Sequence, residues 1–271
     1  MNFLDLFFIG VSFLGSELFL LITLPIIYFI NRKVGFRLSV IVLSGIWLTH
    51  LLKAIFKIPR PPPETWKVEA SGYSFPSGHS TNAASYWGFL GYKLRKIPIA
   101  VGLSVLLILL IGYSRVYLRV HRWEDVIVGW IIGLSMIALV EYSARLLEEG
   151  KKLPLILSLS LGASVPFILI GVTFLVTQGF TSELEVTIKT MSTLSGIIVG
   201  YLIADSKNLH LEDTLNPCDI ALRSIIGLVL IMILYGIYKA LKAIAVTIFV
   251  AYWLMGIIIT LVTPYIVRKI K

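Results

Sequence analysis

The segment Ser114–Asp125, SRVYLRVHRWED, is densely charged although long aliphatic stretches flank it on both sides. His121 and Asp125 are four residues apart, so on a helix they would share one face. A carboxylate bonded to one imidazole nitrogen sets the tautomer and leaves the other nitrogen basic or nucleophilic. Arg115 could hold two oxygens of a phosphate in a bidentate fork. The segment therefore predicts a reactive histidine beside an anion site.

A second polar segment, FPSGHS at 75–80, opens another apolar stretch. Pro76, Ser77 and Gly78 at a helix start would leave backbone N–H groups pointing out of the helix. That end carries about half a positive charge and suits an anion. His79 lies in the same first turn, where it could give a proton to a leaving oxygen. A capping serine with an incidental histidine would produce the same pattern, so both interpretations stay open.

The third segment, KAIFKIPRP at 53–61, places cations at the end of an apolar stretch. Lys53 and Lys57 are one helical turn apart and would share a face. Pro59 disfavours helical geometry at the residue before it, so the helix should end there and a stiff turn should orient Arg60. Taken alone, these cations also fit basic side chains that reach the headgroups from a helix end.

The elements that must position these residues are long apolar helices. The chain is 57% hydrophobic and only 14% charged, whereas a soluble domain is about one quarter charged. A spanning helix needs about 20 apolar residues, which is longer than a barrel strand. The sequence therefore predicts an all-α, polytopic membrane bundle. Its expected spans, about nine by that length rule, are 13–30, 36–57, 77–92, 97–114, 123–146, 154–177, 186–204, 219–240 and 244–267.

Residues 3–12 could form an interfacial helix or lengthen the first span. No cleavable signal pattern is visible at the amino terminus, which we expect to be retained. Cys218 is the single cysteine and excludes an internal disulfide. We expect two parts, 1–150 with all of the unusual residues and 151–271 with further spans of unknown role. The boundary between them should lie near Glu148–Lys152.

The basic residues indicate an orientation. The net charge of +9 comes largely from Lys and Arg in short connections between apolar stretches, which indicates anionic headgroups as partners and no nucleic acid. With nine spans, most of these connections lie on the inner face if the amino terminus is outside. The connections 58–76 and 115–122 are also basic but lie on the outer face. The orientation rule does not explain positive charge there, so we expect it to serve a function. The inner clusters are Arg32, Lys33, Arg37; Lys93, Arg95, Lys96; Arg145, Lys151, Lys152; and Arg268, Lys269, Lys271.

All three polar segments thus fall at one expected membrane face, at the outer ends of the second to fifth spans. Their spacing resembles the three-part signature of the type 2 phosphatidic acid phosphatase superfamily, which includes lipid phosphate phosphatases, polyprenyl diphosphatases, sphingosine phosphate phosphatases and glucose-6-phosphatase. The resemblance is close over 53–125 and weaker to about 145, and is nearer the sphingosine phosphate and glucose-6-phosphatase branch. The matching positions are Lys53, Arg60-Pro61, Pro76-Ser77-Gly78-His79, Ser114-Arg115, His121 and Asp125.

The resemblance implies a role for each matching residue. His121 would attack phosphorus and become a phosphohistidine, Asp125 would orient it, and His79 would protonate the leaving group and later activate water. No metal or cofactor is expected, because the segments hold too few carboxylates to bind magnesium. The residues expected to hold the phosphate oxygens are Lys53, Arg60, Ser77, the Gly78 amide and Arg115.

Three further cations could contact a second phosphate and so favour diphosphate substrates: Lys57, Arg119 and Arg122. Arg119 and Arg122 fit interfacial anchoring equally well. Three other ionisable residues lie inside expected spans, where such residues often have a function. The sequence indicates no partner for any of them: His50, Glu17 and Glu141. A cluster at His210, Glu212 and Asp213 is interpreted as solvated.

The expected function is an integral membrane phosphatase that hydrolyses a lipid phosphate or a polyprenyl diphosphate, the latter being the first choice. The expected location is the cell membrane, with the catalytic face extracytoplasmic or lumenal. The alternatives are a phosphotransferase with a hydroxyl acceptor, a sugar-phosphate phosphatase, and a transporter or scaffold with a vestigial site. The oligomeric state stays open.

Overall fold

The computed structural model describes residues 2–149, 154–240 and 244–270, which form helices and short connections with no β-strand. The predicted all-α class is confirmed. A 3₁₀ turn at Pro63–Thr65 and a π-helical segment at Ile258–Val262 supplement the α-helices. In chain order these are α1 Phe3–Phe13, α2 Glu17–Ile30, α3 Arg32–Phe56, α4 Gly78–Lys93, α5 Pro98–Tyr117, α6 Trp123–Glu149, α7 Leu155–Thr177, α8 Ser182–Ser206, α9 Pro217–Ala240, α10 Ala245–Ile257 and α11 Thr263–Ile270.

The number of membrane-crossing helices differs from the expected nine. Within the described ranges, seven spans are long and apolar enough to cross a membrane, or up to eight if α1 and α2 form one span bent by 45°. The expected third span, 77–92, folds as α4, which has only 16 residues. Ser80, Thr81 and Asn82 of α4 are buried. Because α4 faces other helices rather than lipid, it can carry polar residues, and a hydropathy test therefore does not identify it as a membrane span.

An ion cluster fixes the relative direction of three helices. Glu141 near the end of α6 accepts hydrogen bonds from Lys93 at the end of α4, at 2.8 Å, and from Arg37 near the start of α3, at 3.3 Å. Helices α4 and α6 therefore run together, and α3 runs against them. Glu141, which had no partner in the sequence, closes the end of the bundle opposite the polar segments.

Helix α4 approaches α6 very closely because α6 has glycine at two contact positions. A Cβ atom at Gly129 would lie 2.7 Å from the Ser77 carbonyl oxygen, and one at Gly133 would lie 2.6 Å from the Thr81 carbonyl oxygen. Both distances are shorter than a side-chain carbon tolerates, so only glycine permits this packing. The close contact holds the start of α4 against the start of α6.

The carboxyl-terminal helices α7–α11 share a core with the earlier helices. Leu38 and Ile41 of α3 pack in one cluster with Met191 and Leu194 of α8. We retain the division into 1–150 and 151–271 as a proposal. Its boundary falls largely on 150–153, outside the described residues, and so do Lys151, Lys152 and Lys271.

Candidate active site

His121 lies in the short connection between α5 and α6, and Asp125 lies in the first turn of α6. Both are almost fully buried, with exposed fractions of 4% and 2%. His121 Nδ1 is 3.2 Å from Asp125 Oδ2. The same carboxylate oxygen accepts hydrogen bonds from the Ser74 hydroxyl and, at 2.9 Å, from the Arg122 backbone N–H. Three neighbours thus hold the carboxylate that orients the imidazole.

Arg60 determines which nitrogen of His121 is free to react. Its guanidinium donates to the carbonyls of Ser71 at 2.8 Å and Val120 at 2.9 Å, so the backbone holds it in place. Its Nη1 is 3.0 Å from His121 Nε2. A guanidinium can only donate, so the neutral ring presents the lone pair of Nε2 to Arg60. Nδ1 then carries the proton and donates it to Asp125, as a nucleophilic Nε2 requires.

The charge state of His121 follows from its surroundings. Its pKa is lowered to about 3, chiefly by burial; the hydrogen bond to Asp125 raises the pKa, and the nearby cations Arg60, Arg115 and Lys53 lower it. Burial likewise lowers the pKa of Arg60. A pKa near 3 leaves the imidazole neutral at physiological pH, so its lone pair is available.

The amino terminus of α4 lies beside this pair. The Ser77 backbone N–H donates to the Asp125 carbonyl at 2.9 Å, which joins the start of α4 to the first turn of α6. The Ser77 hydroxyl caps the helix by accepting from the Ser80 N–H. Gly78 and His79 form the first turn, whose N–H groups carry the positive end of the helix dipole. The His79 side chain is half-buried in this turn.

Lys53 and Arg115 are buried cations at the same end of the bundle, with exposed fractions of 6% and 7%. The Lys53 ammonium donates to the Tyr73 carbonyl. Arg115 donates through Nη1 to the Ser12 hydroxyl of α1 at 2.6 Å. The buried Nε of Arg115 has no hydrogen-bond partner among the described residues. An unused buried donor of this kind suits an anionic ligand.

The three cations proposed for a second phosphate are all exposed. Arg122 donates to the Pro59 carbonyl at 3.3 Å, which places it next to Arg60. Lys57 and Arg119 have left-handed backbone conformations, with φ of 49° and 59°, at the ends of α3 and α5. The structure therefore brings Arg122 next to Arg60, whereas it shows Lys57 and Arg119 only as exposed residues at the ends of α3 and α5.

Sequence reasoning missed several residues that build the site. Ser74 is fully buried and contacts both Asp125 and His121, with its Oγ 3.3 Å from Nδ1. Ser12 lies 103 positions before its partner Arg115 in the sequence. No spacing rule distinguishes either serine from its neighbours. The sequence indicated no partner for Glu17 or His50; in the structure they face each other, with Glu17 Oε1 3.7 Å from His50 Nε2.

Comparison with known proteins agrees with this arrangement. Residues 35–147 match the PAP2 superfamily, and residues 188–271 match the transmembrane extension of PAP2 superfamily phosphatases. The chain belongs to the PAP2 superfamily. The resemblance stated from the three polar segments is confirmed.

Individual relatives are named as phosphatases. The chain is 35% identical to phosphatidylglycerophosphatase B of Bacillus subtilis over 49% of this chain and 71% of that protein. It is 32% identical to a probable sphingosine-1-phosphate phosphatase of Dictyostelium discoideum, over 55% of this chain and 41% of that protein. A dihydrosphingosine 1-phosphate phosphatase of Schizosaccharomyces pombe is 27% identical, over 79% of this chain and 56% of that protein. The chain thus spans about half the length of the two sphingoid relatives.

Proposed function

We propose that the protein is a membrane phosphatase that removes phosphate from a lipid phosphate or a polyprenyl diphosphate through a phosphohistidine on His121. The observation that carries the proposal is the geometry of the His121 ring. Its Nδ1 faces Asp125 at 3.2 Å and its Nε2 faces Arg60 at 3.0 Å. Nε2 is therefore oriented toward the cation that would hold the phosphate.

The proposed reaction has two steps. In the first, the lone pair of His121 Nε2 attacks phosphorus, the bond from phosphorus to the ester oxygen (in a diphosphate, to the bridging oxygen) breaks, and His79 gives its proton to that oxygen. In the second, His79 takes a proton from water, the resulting hydroxide attacks phosphorus, and the P–N bond breaks to release inorganic phosphate. Asp125 stabilises the positive charge that the imidazole carries in between.

Cations supply the electrostatic stabilisation in this scheme. Lys53, Arg60 and Arg115 converge with the start of α4 at one end of the bundle, and they would hold the three equatorial oxygens. Asp125 is already bound by Ser74, the Arg122 N–H and His121. The scheme therefore requires no metal, and the proposed activity should persist in excess EDTA.

The orientation in the membrane is part of the proposal. Arg37 and Lys93 lie at the end of the bundle opposite His121. Basic residues mark the cytoplasmic side, so the catalytic end would face the extracytoplasmic or lumenal side. The names of the relatives support lipid substrates, with phosphatidylglycerophosphate and sphingoid phosphates among them.

The direct test compares wild type with His121→Ala in detergent. Phosphate release would be measured from a prenyl diphosphate, a phosphatidate, a sphingoid phosphate and glucose 6-phosphate. Release by wild type without an added hydroxyl acceptor is expected and distinguishes hydrolysis from phosphotransfer. His121→Ala should lose at least about 10⁴-fold in rate and all acid-labile labelling by ³²P-substrate. Activity that survives in His121→Ala would refute the mechanism.

The diphosphate preference has its own test in Arg122. Because Arg122 lies next to Arg60 through the Pro59 carbonyl, we expect Arg122→Ala to slow hydrolysis of a prenyl diphosphate about tenfold more than that of the matching monophosphate. Arg119→Ala, at an exposed position that follows α5, serves as the comparison variant. Equal losses on both substrates in Arg122→Ala would contradict a second-phosphate contact.

A further inference from the structure

A cavity of about 240 Å³ lies between α2 and α3 on one side and α8 and α10 on the other. Leu20 and Leu24 of α2, Leu43 of α3 and Ile197 of α8 contribute apolar walls. The polar groups of its lining include Glu17 and Lys189. The cavity is thus bounded by both halves of the chain and has an apolar interior.

The end of the cavity at Glu17 is close to the proposed phosphate site. Glu17 Oε1 is 3.7 Å from His50 Nε2, and His50 precedes Lys53 by about one helical turn on α3. Helix α8 also begins at this end, because a Cβ atom at Gly72 would lie 3.4 Å from Glu183 Oε1. Gly72 belongs to the loop whose carbonyls hold Arg60. Helices α2 and α8 therefore both start at the catalytic end.

The cavity extends from that end toward the middle of the bundle. Along α8 its lining runs from Val186 to Ile197, which corresponds to about 16 Å at the helical rise per residue. Leu18 and Leu21 line it and are also 56% and 48% exposed on the outer surface of α2. In a membrane-spanning bundle that surface meets lipid, so the cavity opens sideways to the bilayer.

We propose that this cavity binds the alkyl or isoprenoid chain of the substrate whose phosphate reacts at His121. The proposal rests on the proposed function and deepens it by assigning a binding role to α8 and α10. Burial of each methylene group in an apolar cavity is favourable. Because the cavity runs from the catalytic end toward the middle of the bundle, it suits a molecule with one charged end and one apolar chain. Substrates with a long single chain should therefore be preferred over short ones.

The first test fills the cavity at two depths. Val186→Phe narrows it near the catalytic end, and Thr193→Phe narrows it farther along α8. The measured quantity is kcat/KM for hexadecyl phosphate divided by kcat/KM for butyl phosphate. This ratio should fall about tenfold in each variant, the effect of losing roughly two buried methylene groups. Val229→Phe on the exposed surface of α9 is the matched control and should keep the wild-type ratio.

An unchanged ratio in both cavity variants would overturn the proposal. A fall of the same size in Val229→Phe would also overturn it, because the effect would then not come from the cavity. The ratio compares two substrates on the same folded molecules, so partial loss of protein does not alter it.

The second test uses wild type and needs neither hydrolysis nor a variant. A hexadecyl phosphonate with a diazirine at the chain end would be photoactivated in detergent, and the labelled peptides identified. Labelling should fall on 39–46 and 186–197 and decrease with excess unlabelled hexadecyl phosphonate. Labelling confined to α7 or α9, or insensitive to the competitor, would indicate ordinary lipid contact and overturn the proposal.

The two tests separate this proposal from the function on which it rests. Competed labelling of the cavity without phosphate release from any substrate would count against the phosphatase alone. Phosphate release with an unaltered chain-length ratio and no cavity labelling would count against the chain site alone.

Discussion

Arg115 and Arg223 are both buried arginines, but their partners differ. Arg223 on α9 donates to the Asp219 carboxylate at 2.6 Å and to the Phe29 carbonyl at 2.8 Å. Arg115 on α5 donates to the Ser12 hydroxyl at 2.6 Å, and no acidic side chain pairs with it in the described part of the chain. The buried Nε of both arginines lacks a hydrogen-bond partner there, so the carboxylate is what separates them. A buried cation that is paired with a carboxylate is neutralised and stabilises the packing of helices, whereas one without a carboxylate is available for an anionic ligand. The comparison distinguishes structural charge from charge reserved for a ligand.

The two histidines His79 and His210 extend this comparison to proton transfer. His79→Ala should lower kcat/KM, which reports formation of the phosphohistidine, on an alkyl phosphate by about 100- to 10,000-fold, the usual contribution of a general acid. The loss should be much smaller on p-nitrophenyl phosphate, whose leaving group needs little protonation. His210, which lies in the loop after α8 with its Nδ1 4.0 Å from Asp205 Oδ1, provides the matched control. His210→Ala should leave both rates unchanged; equal losses on the two substrates in His79→Ala would exclude an acid role.

Substitution of the two arginines by methionine should produce opposite effects. Arg115→Met should lower kcat/KM by about 100- to 1,000-fold with little change in thermal stability, because no carboxylate loses its partner. Arg223→Met removes a buried cation that is paired with the Asp219 carboxylate and should lower the free energy of unfolding by about 3–5 kcal/mol. Thermal unfolding in detergent and kcat/KM per folded molecule would be measured for both. A large stability loss in Arg115→Met would show that its charge is structural.

The smallest expected effect is a change in the pH dependence of stability. The pKa of His121 is lowered to about 3 in the folded protein, below the usual value near 6.5. The unfolded chain therefore binds the extra proton first, and the stability of the folded state decreases as the pH falls from about 6.5 toward 3. His121→Gln should lose less thermal stability between pH 7 and pH 5 than wild type. Parallel curves for the two proteins would contradict a neutral buried His121.

The sequence predicted much of the catalytic end because local rules govern it. The length of the apolar stretches indicated helices, and the spacing of four residues suggested the pair His121 and Asp125, although His121 lies just before α6 and not on it. Membrane topology then brought the three polar segments to one face. The expected count of nine spans was only approximate, because α4 is short and packs its polar residues against α3, α5 and α6 instead of lipid.

By itself, the sequence determined the helical class, the family signature and which residues could react, since these depend on residue type and short-range spacing. Only the tertiary structure decided which groups hold them in place. The Ser74 hydroxyl donates to Asp125, and the Ser12 hydroxyl accepts from Arg115. The carbonyls of Ser71 and Tyr73 accept from Arg60 and Lys53. It also decided that α8 and α10 would enclose a cavity with α2 and α3. Such contacts depend on how distant helices pack, and no local spacing in the chain specifies that packing.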